Sequence, residues 1–365
     1  DDLYAYYLTG GGTSDDPASA STVLGGGLED LTRCSILPDS GIIKQPNKNY
    51  DIKYEVDEYG NVKLSAVDKD GNPVELSPED QAILDNINKS MNDALNWLRD
   101  QGFKFNDLAA SKKEIMNFIS RHAEAFYRIT GGETPENAYE LAYNATVGLA
   151  IACEMKTLND KYYHGDYDKE QYDQEIGFWT SYYSSKSGMK LSFKHGDVKG
   201  EEGLDTVLGL VEVAVMMKAL MYKENGKLDP NRINKNKNDT IDYGLMMLNS
   251  YWFPETVNAG GIFKGMNFEQ NLKDGKWKYD PFYNIGGGIG MVFNKHTSSE
   301  PPTLLGWFRA VKAYNSGGSY ELVVKYFHWM MGGWIPGTGE VDENPFTHKK
   351  WLEWYGIIER KIDEK

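Results

Sequence analysis

The sequence predicts a mainly α-helical protein of the α+β class, with small β elements near its N-terminus. Three stretches begin with helix-capping residues and continue with apolar side chains at helical spacing, within residues 77–102, 111–132 and 134–157. Short alternating segments between residues 51 and 76 are separated by the turn sequences EYG and KDG, which indicates antiparallel strands. A chain of 365 residues exceeds the usual size of one hydrophobic core, so we expect more than one domain.

Residues 1–76 are predicted to form an N-terminal arm that ends in a β-hairpin. The first 50 residues contain TGGG, GGG and scattered Ser, Asp and Pro, a composition typical of loops. The strand-like segments that follow are DIKYEVD, NVKLSAV and NPVELS. We therefore expect a small antiparallel unit at residues 51–76, after an irregular arm.

Residues 77–200 are predicted to form a helical region. The first helix starts after Ser77 and stops at Gly102, and the second starts at Ser111 and stops at the pair of glycines 131–132. The third opens at Thr134 and runs to near Thr157. Residues 160–200 are polar and rich in tyrosine, and we expect a partly irregular connector there.

Charge and composition exclude several classes of function. The net charge of −15 repels phosphate backbones and anionic lipids, so nucleic acid is not an expected direct ligand. The longest apolar run, Val207–Tyr222, is interrupted by charged residues and is short for a membrane span, so it predicts a buried helix and no transmembrane segment. Cys34 and Cys153 allow at most one disulfide and no cysteine-rich zinc site. The six histidines lack the spacing of metal ligands, and no metal or cofactor is expected.

Glu224 closes the apolar segment LDTVLGLVEVAVMMKALMYKE, which predicts a helix surrounded by protein from Leu204 to Glu224. Apolar surroundings penalise a charged carboxylate and raise its pKa, as a general acid working near neutral pH requires. The alternative is a helix that simply emerges into solvent at KENGK. The sequence of the helix alone does not separate these two readings.

Three segments after Glu224 favour a catalytic role. The loop NRINKNKND leads to DYGLMMLNSYW, and YDPFYNIGGGIGMVF and WFRAVKAYNSGG follow. This order and spacing resemble the lytic transglycosylase or goose-type lysozyme family of peptidoglycan-cleaving glycosidases. The likeness is closest to the branch that accompanies type IV and type III secretion machines, and it covers about residues 203–335.

The resemblance implies a lysozyme-like catalytic domain at residues 201–335, preceded by the arm and hairpin (1–76) and by a helical docking region (77–200). A C-terminal extension (336–365) would follow and end in a short helix packed on its own domain. Glu224 would be the catalytic acid, and the hydroxyl of Tyr314 would orient it by a hydrogen bond. The residues that the resemblance places against the sugar are Asn225, Tyr243, Gly244, Leu245, Met246, Met247, Asn249, Tyr314 and Asn315.

The implied reaction is lytic transglycosylation of peptidoglycan glycan strands. Glu224 would protonate the oxygen between N-acetylmuramic acid and N-acetylglucosamine, and the muramoyl 6-hydroxyl would then close to a 1,6-anhydro product. Asp242 lies close in sequence and could serve instead as a second carboxylate for ordinary hydrolysis. The alternative for Asp242 is a capping or turn-forming role in its loop.

Three departures from the family pattern keep other functions open. Met247 stands where the family has Gln, Asn225 where it has Ser, and Phe282 where the secretion-associated branch often has Cys. The missing Gln amide would remove one sugar contact, worth about 0.5–1.5 kcal/mol. A structural component without activity, or a glycan-binding module suited to the aromatic content, is therefore an alternative. In each case we expect a larger assembly as partner, a secretion apparatus or a phage particle, acting in the cell envelope or periplasm.

Overall fold

The computed structural model describes residues 40–43, 48–56, 62–162, 170–296, 301–314, 320–331 and 350–364. Cys34 and the predicted site residue Asn315 lie outside the described residues. The described residues belong to one compact unit, Pro38–Lys365, which is mainly helical with two small antiparallel sheets. The mainly α prediction is therefore confirmed, while the division at residues 76, 200 and 335 stays a prediction.

The first sheet has the order β1 (Ser40–Ile43), β2 (Asp51–Val56) and β3 (Val62–Val67). The predicted hairpin is confirmed, since β2 pairs with β3 with Asp51 opposite Val67 and Val56 opposite Val62. The third strand is not NPVELS, which makes only the isolated bridge between Val67 and Pro73. It is Ser40–Ile43, in the region predicted to be loop, because four residues beside Pro and Asp give too short a pattern to recognise.

Three long helices follow: α1 (Pro78–Asp100), α2 (Leu108–Thr130) and α3 (Pro135–Tyr162). The Ser77 hydroxyl accepts from the amide of Asp80 at 3.1 Å, which confirms the predicted cap of α1. The predicted cap of α2, Ser111, is wrong by four residues, because Asp107 caps the helix by accepting from Ala110 N–H at 2.9 Å. Helix α3 continues five residues beyond Thr157.

The tyrosine-rich connector contains a further helix, α4 (Asp173–Lys186), so the prediction of an irregular segment at 160–200 is wrong there. Its side chains are buried on every side, including Trp179 and Tyr183. A helix without an exposed polar face has no amphipathic period, which is the signal that sequence reading depends on.

Helix α5 (Leu210–Glu224) is buried along its length and ends at Glu224, although it starts six residues later than predicted. A second small sheet follows, with the order β4 (Ile233–Lys235), β5 (Ile241–Tyr243) and β6 (Leu248–Asn249). Both pairings are antiparallel, with Asn234 opposite Asp242 and Asp242 opposite Asn249. The sheet therefore places these three residues side by side just after the end of α5.

The remaining helices are α6 (Trp252–Ala259), α7 (Phe268–Asp274), α8 (Pro281–Lys295), α9 (Leu304–Tyr314), α10 (Glu321–Met330) and α11 (Lys350–Asp363). Short 3-10 turns at Glu201–Gly203, Gly261–Phe263 and Lys276–Lys278 link some of them. Helix α11 buries Trp354 and Ile358, and the Trp354 ring packs against Phe308 and Phe327, as predicted for the C-terminal helix. Within the described part of the chain, none of the helices has the length and apolar character that a membrane crossing needs.

Helix α8 carries the glycines of the GGGIG segment at its tightest packing points. A side chain at Gly286 would overlap the ring of Trp179 from α4, and one at Gly288 would come within 2.5 Å of Met246. Trp179 Nε1 also donates to the carbonyl of Phe282 at 2.9 Å. The GGGIG segment is therefore a helix-packing surface.

Candidate active site

Glu224 is the last residue of α5, where the buried helix reaches the edge of the second sheet. Its side chain is 15% exposed, and its Oε1 lies 2.8 Å from the ammonium nitrogen of Lys223. Thirteen of the fourteen residues before it in α5 are buried, so the carboxyl lies where the helix leaves the core. The alternative of a carboxylate in open solvent is therefore wrong.

The surroundings of Glu224 favour its protonated form. Burial raises the pKa of Glu224 above its ordinary value, and the negative charge of Asp242 acts in the same direction. The positive charges of Lys223 and Arg232 lower the pKa of Glu224 but do not cancel the effect of burial. A carboxyl with this balance can hold a proton at a pH where an exposed glutamate has lost it.

Asp242 is held by three asparagine side chains. Its Oδ2 accepts from Nδ2 of Asn234 at 3.3 Å and of Asn236 at 3.0 Å, and its Oδ1 accepts from Nδ2 of Asn249 at 2.7 Å. We call Asn234, Asn236 and Asn249 the amide cradle. Both carboxylate oxygens face neutral donors, an environment that suits a negatively charged group and fixes its orientation.

The turn between β5 and β6 is clamped by Asn284 of α8. Asn284 Nδ2 donates to the carbonyls of Tyr243 at 3.0 Å and Trp277 at 2.9 Å, while its Oδ1 accepts from Met246 N–H at 2.8 Å. Gly244 has φ +76°, and a Cβ there would lie 2.5 Å from Asn284 Nδ2. Only glycine therefore allows the turn to approach α8 this closely.

Three predicted sugar-binding residues are turned away from any substrate. Leu245 and Met246 are fully buried in the core, and Met246 packs against Gly288. Asn225 is also fully buried, and its Nδ2 donates to the carbonyls of Asp229 at 2.6 Å and Gly244 at 3.1 Å. The prediction that these side chains contact sugar is wrong, because the protein itself occupies their surfaces and hydrogen bonds.

Tyr314 ends α9 and reaches the same site, but with a different partner from the one predicted. Its hydroxyl donates to the carbonyl of Met246 at 2.6 Å, so its proton is not directed at Glu224. Burial raises the pKa of Tyr314 well above its ordinary value, and the charges of Glu224 and Asp242 raise it further. The phenol therefore lies within electrostatic range of both carboxyls and stays neutral, while it fixes the turn that follows Asp242 in the sequence.

Two predicted residues of the turn keep some exposed surface. Met247 is partly exposed and has φ +48°, a left-handed conformation that is unusual for a side chain of this kind. Tyr243 is also partly exposed, with its ring against Trp277 and Tyr279 at centroid distances of 5.7 and 5.6 Å. Asn249 is partly exposed too, but it serves the amide cradle, and its Oδ1 accepts from Trp252 N–H at 3.1 Å.

An exposed aromatic pair lies next to the amide cradle, at the start of α6. Tyr251 and Trp252 are 53% and 57% exposed, and their ring centroids lie 4.9 Å apart at 84°. Sequence reasoning did not assign them a role, although they follow directly after the Asn249-Ser250 segment. It also missed the cradle residues Asn234 and Asn236, whose signal was their alternation in NKNKND opposite Asp242.

The site thus combines a shielded carboxyl, an oriented carboxylate and exposed aromatic surface around one small sheet. Among the described residues, no group of three or more His, Cys, Asp or Glu is placed to hold a metal ion. Comparisons with protein-family models, with curated proteins and with solved structures found no match to this chain.

Proposed function

We propose that this chain is a glycosidase that cleaves the β-1,4 bond between N-acetylmuramic acid and N-acetylglucosamine in peptidoglycan. The observation that carries the proposal is the placement of Glu224, a mostly buried carboxyl at a helix end, within electrostatic range of Asp242 and Tyr314. Proton donation to a glycosidic oxygen needs a carboxyl whose environment favours the protonated form.

The sequence resemblance supports lytic transglycosylation as the reaction course. The Glu224 carboxyl gives its proton to the glycosidic oxygen as the bond to the muramoyl anomeric carbon breaks, and the neighbouring acetamido group supports the developing cation. The Glu224 carboxylate then takes the proton of the muramoyl 6-hydroxyl, whose oxygen bonds to the anomeric carbon. The product is a 1,6-anhydro sugar, and no water is consumed.

Hydrolysis is the second candidate, and the amide cradle is the observation that favours it. A carboxylate held in a fixed orientation near a second carboxyl whose burial favours protonation is the arrangement of glycosidases that use two carboxyl groups. Asp242, held through both oxygens, would stabilise or attack the anomeric carbon after Glu224 donates its proton. Water would then release a reducing sugar.

The biological role that we propose is local opening of the cell wall for a larger assembly, a secretion or conjugation machine or a phage particle delivering its genome. Its place of action would be the cell envelope or periplasm, or the virion. Met247 in place of Gln supports the alternative of a catalytically weakened structural or glycan-binding component. Loss of one amide contact lowers affinity without removing the proton donor.

Digestion of purified sacculi by the full-length chain tests the proposal. Soluble fragments are analysed by mass spectrometry for the wild type, Glu224→Gln and Asp242→Asn, with Glu269→Gln, an exposed glutamate in α7, as the matched control. Anhydro-muropeptides that disappear only in Glu224→Gln support transglycosylation. Reducing ends that disappear in both site variants support hydrolysis. Binding to sacculi without any released fragment would reject the enzyme and leave the glycan-binding component.

A further inference from the structure

Lys223 places a positive charge directly beside the proposed proton donor, which is unexpected for a site that works by proton donation. Its ammonium nitrogen lies 2.8 Å from Glu224 Oε1, and both side chains are mostly buried, at 22% and 15% exposure. An ammonium group at this distance stabilises the carboxylate and opposes the protonated acid. In the absence of substrate, Lys223 is therefore the group that most opposes protonation of Glu224, although burial outweighs it.

The other groups that face Glu224 come from three different elements. Asp242 of β5 contributes negative charge, Arg232 of the loop before β4 contributes positive charge, and the neutral phenol of Tyr314 lies at the end of α9. Arg232 is exposed, so solvent screens its effect more than that of Lys223. Lys223 is thus the main positive charge at the carboxyl.

Moving the Lys223 ammonium away would leave Glu224 buried beside Asp242 without its closest counter-charge. Under those conditions a carboxyl takes up a proton from solvent, since burial and a neighbouring negative charge both disfavour its ionised form. A lysine side chain has four rotatable bonds, and its ammonium can turn to another anion within reach at little cost. The natural competitor is an anionic group on the bound glycan.

We propose that Lys223 selects glycans that carry carboxylates and, by binding such a carboxylate, releases Glu224 to become protonated. This inference rests on the proposed function and names the feature of the substrate that the site recognises. The muramoyl lactyl group is a carboxylate where it carries no stem peptide, and the stem peptide supplies carboxylates where it is attached, whereas chitin has the same β-1,4 linkage and acetamido groups without any charge. Binding of the correct glycan therefore strengthens the preference of Glu224 for its protonated form, and a neutral glycan leaves Lys223 on Glu224.

The test compares peptide-free peptidoglycan strands, in which every lactyl group is a free carboxylate, with neutral chito-oligosaccharides. The full-length wild type, Lys223→Met and Lys223→Arg are assayed for kcat/KM across pH. Lys227→Met, which removes the same charge at an exposed position four residues away, is the matched control. Thermal melting of each variant verifies that it is folded.

We expect the wild type to prefer the anionic strands and Lys223→Met to lose about tenfold of that preference, the effect of one charge-assisted contact. On the chito-oligosaccharide, the basic limb of the pH profile should move to higher pH in Lys223→Met, because the group that lowers the pKa of Glu224 is gone. Lys223→Arg should keep the preference, and Lys227→Met should behave as the wild type. Added salt should reduce the wild-type preference, since it screens the new ion pair.

An unchanged preference and an unchanged pH profile in Lys223→Met would overturn the inference, even if Glu224→Gln were inactive. Equal cleavage of both glycans by the wild type would overturn it as well. If the wild type cleaves neither glycan and Glu224→Gln has no effect, the proposed function itself fails. The two failures therefore have different signatures.

Discussion

Asn249 connects Asp242 with the exposed end of α6, because its Nδ2 donates to Asp242 Oδ1 at 2.7 Å while its Oδ1 accepts from Trp252 N–H at 3.1 Å. One side chain thus sets both the orientation of a carboxylate in the candidate site and the start of the helix that presents the aromatic pair. A glycan lying across the pair would meet a carboxylate in a fixed relation to it. Several measurements can test this arrangement.

Replacing Asn249 should destabilise both the fixed orientation of Asp242 and the start of α6. Asn249→Ala removes the hydrogen bonds to the Asp242 carboxylate and to the Trp252 N–H, so we expect the free energy of unfolding to fall by about 1–2 kcal/mol. Urea denaturation measures this change. Asn231→Ala, at an exposed position before β4, is the control and should leave stability almost unchanged. Equal stability of the two variants would contradict the structural role of the cradle.

Replacing Trp252 should weaken glycan binding and leave the fold intact. Its ring is 57% exposed, so Trp252→Ala removes stacking surface for a sugar and little core packing. We expect KM for soluble glycan to rise about tenfold at nearly constant kcat, with an unchanged melting temperature. Leu352→Ala, an exposed apolar residue of α11, serves as control. An unchanged KM would place the sugar away from the aromatic pair.

Introducing an amide at position 247 should strengthen glycan binding. Met247→Gln adds a donor and an acceptor at a partly exposed position of the turn, and one additional hydrogen bond would lower KM about threefold to tenfold. Met247→Leu, which fills similar space without polar atoms, should bind as the wild type does. KM is measured for the wild type and both variants. If Met247→Gln binds the glycan no more tightly than Met247→Leu, residue 247 does not contact the sugar.

Gly244 should tolerate no side chain. Gly244→Ala would bring a Cβ to within 2.5 Å of Asn284 Nδ2 in addition to the cost of φ +76°, so we expect a loss of at least about 2 kcal/mol in unfolding free energy. Gly102→Ala is a matched control, because Gly102 has φ +82° with open space around it, and should cost about 1 kcal/mol. Equal losses would mean that the contact with Asn284 adds nothing to the conformational cost.

Stability should depend on pH through Glu114, a residue of α2 away from the candidate site. Burial raises the pKa of Glu114 to about 7, against the opposing charge of Arg121. Because the folded carboxyl binds its proton more tightly than the unfolded one, stability is full below pH 4.5 and declines as the pH rises through 7. The contribution of Glu114 to the decline is at most about 3 kcal/mol, so the decline should be smaller in Glu114→Gln and unchanged in Glu136→Gln, an exposed control on α3. Denaturant titrations between pH 4 and 8 provide the measurement.

Sequence patterns predicted the structural features that depend on residues close together in the chain. The cap at Ser77, the stop at the glycines after α2 and the buried end of α5 at Glu224 each depend on a few neighbouring residues, and the structure has all of them. Contacts between distant segments left no such signal. Asn225 forms hydrogen bonds with residues up to 19 positions away, and Asn284 with residues up to 41 positions away.

The misplaced side chains show the same limit. Leu245 and Met246 follow a glycine in a turn, and nothing in their own order tells whether the turn faces a cleft or the core. The turn faces the core because the glycines of α8 let that helix pack directly against Met246. The partner of Tyr314 could not be foreseen either, because the Met246 carbonyl that accepts its hydrogen bond lies 68 positions away in the sequence.

The contact between Gly286 and Trp179 decides where this chain can be divided. Trp179 belongs to α4, upstream of the segment 201–335 that carries the candidate site, yet its indole fills the space that Gly286 leaves and donates to the carbonyl of Phe282. Expression of residues 201–335 alone would expose the bare glycine face of α8 to water and leave that carbonyl without its donor. A minimal folded fragment should therefore begin before Asp173, so that it includes the upstream helix as part of its folding unit.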